Sequence, residues 1–166
     1  NITLISGKTN LEKPNNLNFI QAQSAKDFFN KVTSNLPCDV FISAAAISDW
    51  KIDKISKGKI KKGEGENLNL NFQKSIDILE NICSHENRPR LIIGFSAETS
   101  NLIKNSKSKL KKKNCDWIIA NDVSEGQVFG SNYNKVSFIS KNKTEHWPKM
   151  RKSTIAKKIS KKIVYF

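Results

Sequence analysis

Three short apolar runs constrain this chain more than any other feature: Val40 to Ala46, Leu91 to Phe95 and Trp117 to Ala120. Continuous apolar runs of strand length, bounded by polar or turn-forming residues, fit strands covered on both faces, as in parallel sheets. Stretches of helical spacing lie before, between and after them. Ser24 opens one, with Asp27 three residues on as a capping-box-like start and Phe28, Phe29 and Val32 as its apolar stripe up to about Leu36. Ile76, Ile78, Leu79 and Ile82 repeat that spacing, Leu102 to Lys113 predicts a Lys-rich helix, and Ser153 to Val164 a basic one.

Shorter signals complete the pattern. Ile2 to Ile5, closed by Ser6-Gly7, and Asn18 to Gln21 read as strands. Leu68, Leu70 and Phe72 alternate with Asn69, Asn71 and Gln73, which predicts a half-buried strand. Val136 to Ile139 and Glu145 to Trp147 predict a hairpin turning at Lys141-Asn142-Lys143. The sum is one Rossmann-like α/β domain over residues 1–166: a doubly wound, mostly parallel sheet with a small antiparallel addition near the C-terminus. Lys51 to Gly65, rich in Lys and Gly with little to bury, predicts a mobile lid.

Composition narrows the function classes. No apolar run approaches the roughly 20 residues that span a bilayer, and Asn1 to Gly7 has no basic region or small-residue cleavage site, so a cytoplasmic protein is expected. Cys38, Cys83 and Cys115 are odd in number and lack zinc spacing, which predicts buried reduced thiols and no metal site. The net charge of +14 would attract a polyphosphate, a nucleic acid or an anionic membrane face alike. Its cations are nearly all Lys, with Arg only at 88, 90 and 151, which argues against sequence-specific DNA readout. His85 and His146 sit in polar contexts without nucleophile spacing, and neither GxGxxG nor a P-loop occurs.

Ligands of doubly wound folds sit at the carboxyl ends of strands, and several residues there have suitable chemistry. Ala44-Ala45-Ala46 would let a ligand approach the backbone, with the Asp49 carboxylate just beyond; the same residues would serve a tight strand-to-loop turn. Lys59-Ile60-Lys61-Lys62, flanked by Gly58 and Gly63, would cover a triphosphate, or simply be solvated. Lys109 and Lys113 share a helix face, where like charges repel unless an anion lies between them. Phe95 at another strand end would face a base or fill the core.

Taken in order, Ala45-Ala46-Ile47-Ser48-Asp49-Trp50, Lys59-Ile60-Lys61-Lys62, Gly94-Phe95-Ser96-Ala97-Glu98-Thr99, Lys109 with Lys113, and Ala120-Asn121-Asp122-Val123 resemble the bacterial phosphopantothenate-cysteine ligase family over nearly the whole chain. The resemblance implies activation of phosphopantothenate by CTP to an acyl-cytidylate, followed by capture by cysteine in coenzyme A biosynthesis. It implies Mg²⁺, a homodimer, and fusion or association with phosphopantothenoylcysteine decarboxylase, with no nucleic acid or membrane partner. By that matching Ala44, Ala45, Asp49, Phe95, Lys109 and Lys113 fall on nucleotide-contacting positions. Lys59 falls on a flap lysine that acts on the phosphates or the intermediate, the catalytic assignment. Ile76, Asp77 and Ile78 match a further nucleotide-contacting stretch, although Ile76 stands where the family usually has proline. The family's glycine-rich first strand-loop-helix and its Asn-Arg-Ser-Ser-Gly segment, which bind phosphopantothenate, have no counterpart here, so the chain reads as N-terminally incomplete. A non-catalytic nucleotide-binding fragment or partner subunit is the alternative, and a basic nucleic-acid-binding domain, carried by the positive charge, is a third reading.

Overall fold

The computed structural model describes residues 1–54, 58, 60, 69–124 and 130–166. In chain order the elements are β1 (Thr3–Ser6), β2 (Asn18–Gln21), α1 (Ala25–Thr33), β3 (Val40–Ser43), β4 (Trp50–Ile52), β5 (Phe72–Lys74), α2 (Ile78–Cys83), β6 (Leu91–Glu98), α3 (Leu102–Lys113), β7 (Trp117–Asp122), β8 (Tyr133–Ser140), β9 (Thr144–Arg151) and α4 (Lys152–Val164). They group in two compact units, Asn1–Asn35 with Ala45–Ile78, and Leu36–Ala44 with Leu79–Phe166.

The larger unit is built on a five-stranded sheet ordered β3-β6-β7-β8-β9. β3, β6 and β7 are parallel, and β8 and β9 continue antiparallel, as the mixed pattern predicts. Leu91 to Gly94 and Trp117 to Ala120 are buried without a break, because helices cover both faces of these central strands. On one face Leu91, Ile93, Trp117, Ile119, Val136, Phe138 and Trp147 meet Ile155 and Ile159, one turn apart on α4. The other face takes α2 and α3. A Cβ built on Gly94 would lie 2.8 Å from Ile118 Cδ1 and 2.9 Å from Leu79 Cδ2, so a residue without a side chain is what lets α2 approach β6 this closely.

The expected burial of the first apolar run on both faces is corrected here. β3 is the end strand of its sheet, stops at Ser43, and leaves Ile42 45% exposed. A terminal strand has a neighbour on one flank only, and its apolar sequence does not reveal that.

The smaller unit holds the parallel pair β1–β2, helix α1 and the ribbon β4–β5. Ser24 caps α1 by accepting the Asp27 N–H at 3.2 Å, while the Asp27 carboxylate accepts the Gln23 N–H at 2.9 Å and holds Lys31 at 2.8 Å. Helix α1 ends at Thr33 rather than near Leu36. In the ribbon, Trp50 pairs with Lys74 and Ile52 with Phe72, and Asp53 N–H donates to Asn71 O at 2.9 Å. Trp50–Ile52 is therefore strand within and just before the segment expected to be a lid. The strand expected over 68–73 is Phe72–Lys74, and all three residues are exposed. A two-stranded ribbon has no second layer of its own to bury an alternating face. Residues 55–57, 59 and 61–68 of the expected lid and strand lie outside the described residues.

None of the three cysteines forms a disulfide; Cys83 and Cys115 are buried as expected, and burial pushes the Cys115 thiol up to about 11. Cys38 departs from that expectation: it is exposed, in the connection leading to β3.

Candidate nucleotide site

Helix α3 begins after Asn101 and ends at Asn114, both in the left-handed region (φ 50° and 56°), which asparagine tolerates better than most residues. Its last turn is Lys111-Lys112-Lys113, cations that complement the negative end of the helix dipole. Three polar ties fasten it to the C-terminal half of β6. Asn105 Nδ2 donates to Glu98 Oε2 at 3.0 Å, the Ser106 and Ser96 hydroxyls share a buried hydrogen bond of 2.7 Å, and Lys109 Nζ donates to the Phe95 carbonyl at 2.8 Å. One turn further, Lys113 Nζ lies 2.7 Å from Glu80 Oε2 of α2. The predicted shared face of Lys109 and Lys113 is present, and each ammonium has its own protein acceptor.

The parallel register sets Ser43 opposite Gly94, so Ala44 follows β3 at the level where Phe95 continues β6. The Phe95 ring packs against the core cluster. It takes the core-filling role, while its carbonyl engages Lys109. At the carboxyl ends of the next pair, Glu98 stands in register with Asp122, and the Ser124 hydroxyl and N–H hold the Asp122 carboxyl below its usual range. Within the larger unit, then, Ala44, Phe95, Lys109 and Lys113 gather around the carboxyl half of β6 and its covering helices.

Ala45, Asp49, Ile76 and Asp77 belong to the smaller unit. Ile47 N–H donates to Ala45 O at 3.1 Å, and Ser75 N–H to Asp49 O at 2.8 Å, which brings Asp49 beside the Ile76-Asp77 segment. The small residues thus form a tight turn after β3, and the Asp49 side chain is exposed. Ile78 opens α2 and is 7% exposed. Lys59, Lys61 and Lys62 lie outside the described residues; Ile60 between them is exposed. Among the described residues no group of three or more His, Cys, Asp or Glu stands ready to hold a metal.

Sequence reasoning missed the residues that hold the lysines. Glu80 is 33 positions from Lys113, a separation at which no periodic pattern links two residues. Ser106 was legible in principle, since it lies three residues from Lys109 on the same helix face and is a small polar residue in a Lys-rich helix. Also unforeseen is the cross-strand contact of Ser137 Oγ with His146 Nδ1 at 2.9 Å, between residues in direct register on β8 and β9.

The chain is 38% identical over 162 residues to the coenzyme A biosynthesis bifunctional protein CoaBC of Borreliella burgdorferi, covering 96% of this chain and 41% of that protein. It is 36% identical over 143 residues to the CoaBC of Haemophilus influenzae, covering 86% and 36%. It spans about two fifths of the length of these relatives. The crystal structure of the C-terminal domain of a CoaBC protein superposes with a TM-score of 0.78 at 28% identity, over 97% of this chain and 71% of that one. With its sheet order, its covered central strands and a match over residues 1–166, the chain belongs to the DNA/pantothenate metabolism flavoprotein C-terminal domain family.

Proposed function

We propose that this chain is the nucleotide-binding part of a CTP-dependent phosphopantothenate-cysteine ligase. The family match over residues 1–166 carries the reading. The geometry supports it: Ala44 follows the carboxyl end of β3, β6 continues alongside it through Phe95 in its carboxyl half, and Lys109 of α3 donates to the Phe95 carbonyl, at the end of the parallel sheet where doubly wound folds bind ligands. A carboxylate is a poor acyl donor. Its oxygen attacks the α-phosphorus of CTP and pyrophosphate leaves; the cysteine amine then attacks the acyl carbon, and CMP leaves with the bonding electron pair. Lys59, Lys109 and Lys113 offset negative charge on the nucleotide, Lys59 most strongly where charge develops in the transition state. Ala44, Ala45, Asp49 and the Ile76-Asp77-Ile78 segment contact the nucleotide in this reading.

Mg²⁺ accompanies the triphosphate, since this ion is commonly bound through substrate phosphates and few protein ligands; no protein ligand is assigned to it. The relatives' bifunctional names support fusion or association with a decarboxylase. The exposed face Trp50, Ile52 and Phe72 of the ribbon supports pairing of two copies. Among the described residues no helix is long and apolar enough to cross a membrane, which supports a cytoplasmic enzyme. Small molecules rather than nucleic acid are its partners.

Calorimetric titration with CTP and with ATP, both with Mg²⁺, tests the reading. Saturable binding that prefers CTP is expected. With the phosphopantothenate-binding segment present, Lys59→Ala should cut turnover on the order of 10²-fold while changing nucleotide affinity far less. Binding of neither nucleotide overturns the proposal; CTP binding without turnover in that complete context favours a non-catalytic nucleotide-binding subunit.

A further inference from the structure

The two α3 lysines are held by chemically different acceptors. Lys109 donates to a backbone carbonyl, a neutral group that brings no net negative charge to compete with an anionic ligand. Lys113 is paired with a carboxylate, Glu80. The two ends of that pair differ in cover: the Lys113 side chain is 14% exposed and that of Glu80 48%. The Lys113 side chain is largely covered, whereas that of Glu80 is about half exposed to water. A phosphate approaching Lys113 therefore meets a negative charge already in place, and two anions within a few ångströms repel.

We infer that Glu80 is an internal counter-anion of Lys113 that an incoming nucleotide phosphate must displace, and that it thereby sets nucleotide affinity. The inference rests on the reading of Lys113 as a nucleotide contact. The cost of displacing Glu80 is common to both ligands, and the repulsion grows with ligand charge, so Glu80 weakens binding of the triphosphate more than that of a nucleoside monophosphate. Glu80 is a positioning and selectivity residue; it touches no reacting atom.

The experiment is calorimetric titration of the 166-residue chain and its Glu80→Gln, Lys113→Gln and double variants with CTP and with CMP. Gln keeps the shape of Glu80 and one acceptor oxygen for Lys113 while removing its charge. Glu80→Gln should tighten CTP binding by roughly 3- to 10-fold and CMP binding by a smaller factor. Lys113→Gln should weaken CTP binding, and in the double variant the gain from Glu80→Gln should vanish. Unchanged or weaker binding in Glu80→Gln, with Lys113→Gln still weakening it, overturns this inference and leaves the nucleotide site standing. A gain that persists in the double variant also overturns it, as a general charge effect. If CTP binding is absent, or indifferent to Lys113→Gln, the nucleotide-site reading falls and takes the inference with it.

Discussion

The two units spend their apolar residues differently. Among the described residues the larger unit holds every buried hydrophobic side chain except Ala22, Val32 and Ile78, and Ile92, Ile93, Ile118, Ile119 and Ile139 in it are fully buried. The smaller unit leaves Trp50, Ile52, Leu70 and Phe72 at 42–57% exposure. Apolar burial is the dominant favourable term in folding, so the larger unit carries most of the stability, while the smaller one leaves these apolar groups at the surface.

The sharpest way to break this contrast is a large-to-small change at the centre of the sheet. Ile119→Ala should cost about 3–4 kcal/mol, seen as a large fall in the urea midpoint; a loss below about 1 kcal/mol would show that the buried sheet does not dominate. Gly94→Val comes next, at about 2 kcal/mol, because its side chain must displace Ile118 and Leu79. An unchanged melting temperature would mean that α2 can lift from β6 without loss. Ser106→Ala leaves the buried Ser96 hydroxyl without its partner and should cost about 1–2 kcal/mol in chemical denaturation.

A smaller effect is readable in acid. Hydrogen bonds from Lys143 and Lys162 hold the Glu145 carboxyl down to about 2, against an ordinary 4.5. A depressed folded value means stability that is fully present above about pH 4.5 and lost as pH falls towards 2. Glu145 is partly solvated and Lys143 largely so, so the contribution is about 1 kcal/mol or less. Glu145→Gln should flatten the stability profile in that window; a profile that keeps its slope would assign the loss to other carboxylates. Smallest of all, Phe72→Ser on the ribbon should stay within about 0.5 kcal/mol of the parent in stability and, under the proposed pairing of two copies, shift sedimentation towards monomer. A large destabilisation would mean that the ribbon is core, not contact surface.

The larger unit was also the more legible in sequence. Continuous apolar runs marked β6 and β7, and helical spacing returned α3 as Leu102–Lys113 and α4 to within one residue. In the smaller unit β2 was read correctly and β4 was not, since Lys51 and the charges that follow mask a strand whose partner lies beyond the lid segment. The edge position of β3 was equally hidden, because a strand's own residues do not record how many neighbours it has. At the candidate site, the apolar run suggested that β6 ends at Phe95, whereas the strand continues through the more polar Ser96-Ala97-Glu98; helical spacing gave the shared face of Lys109 and Lys113, but not what holds them. Glu80 and the Ser96–Ser106 pair act across distances that only the folded chain closes.

The tryptophans divide along the same line. Trp117 and Trp147 are 7% and 3% exposed in the larger unit, the first edge-on to Phe138 and Phe166 and the second beneath the Lys158 ammonium at 4.5 Å, while Trp50 in the smaller unit is 55% exposed. Their emission is an optical label that the chain already carries: a soluble quencher such as acrylamide should reach the red-shifted Trp50 component first and leave the blue-shifted pair bright. Events at the ribbon and events in the sheet can therefore be followed separately in one cuvette, without attaching a dye.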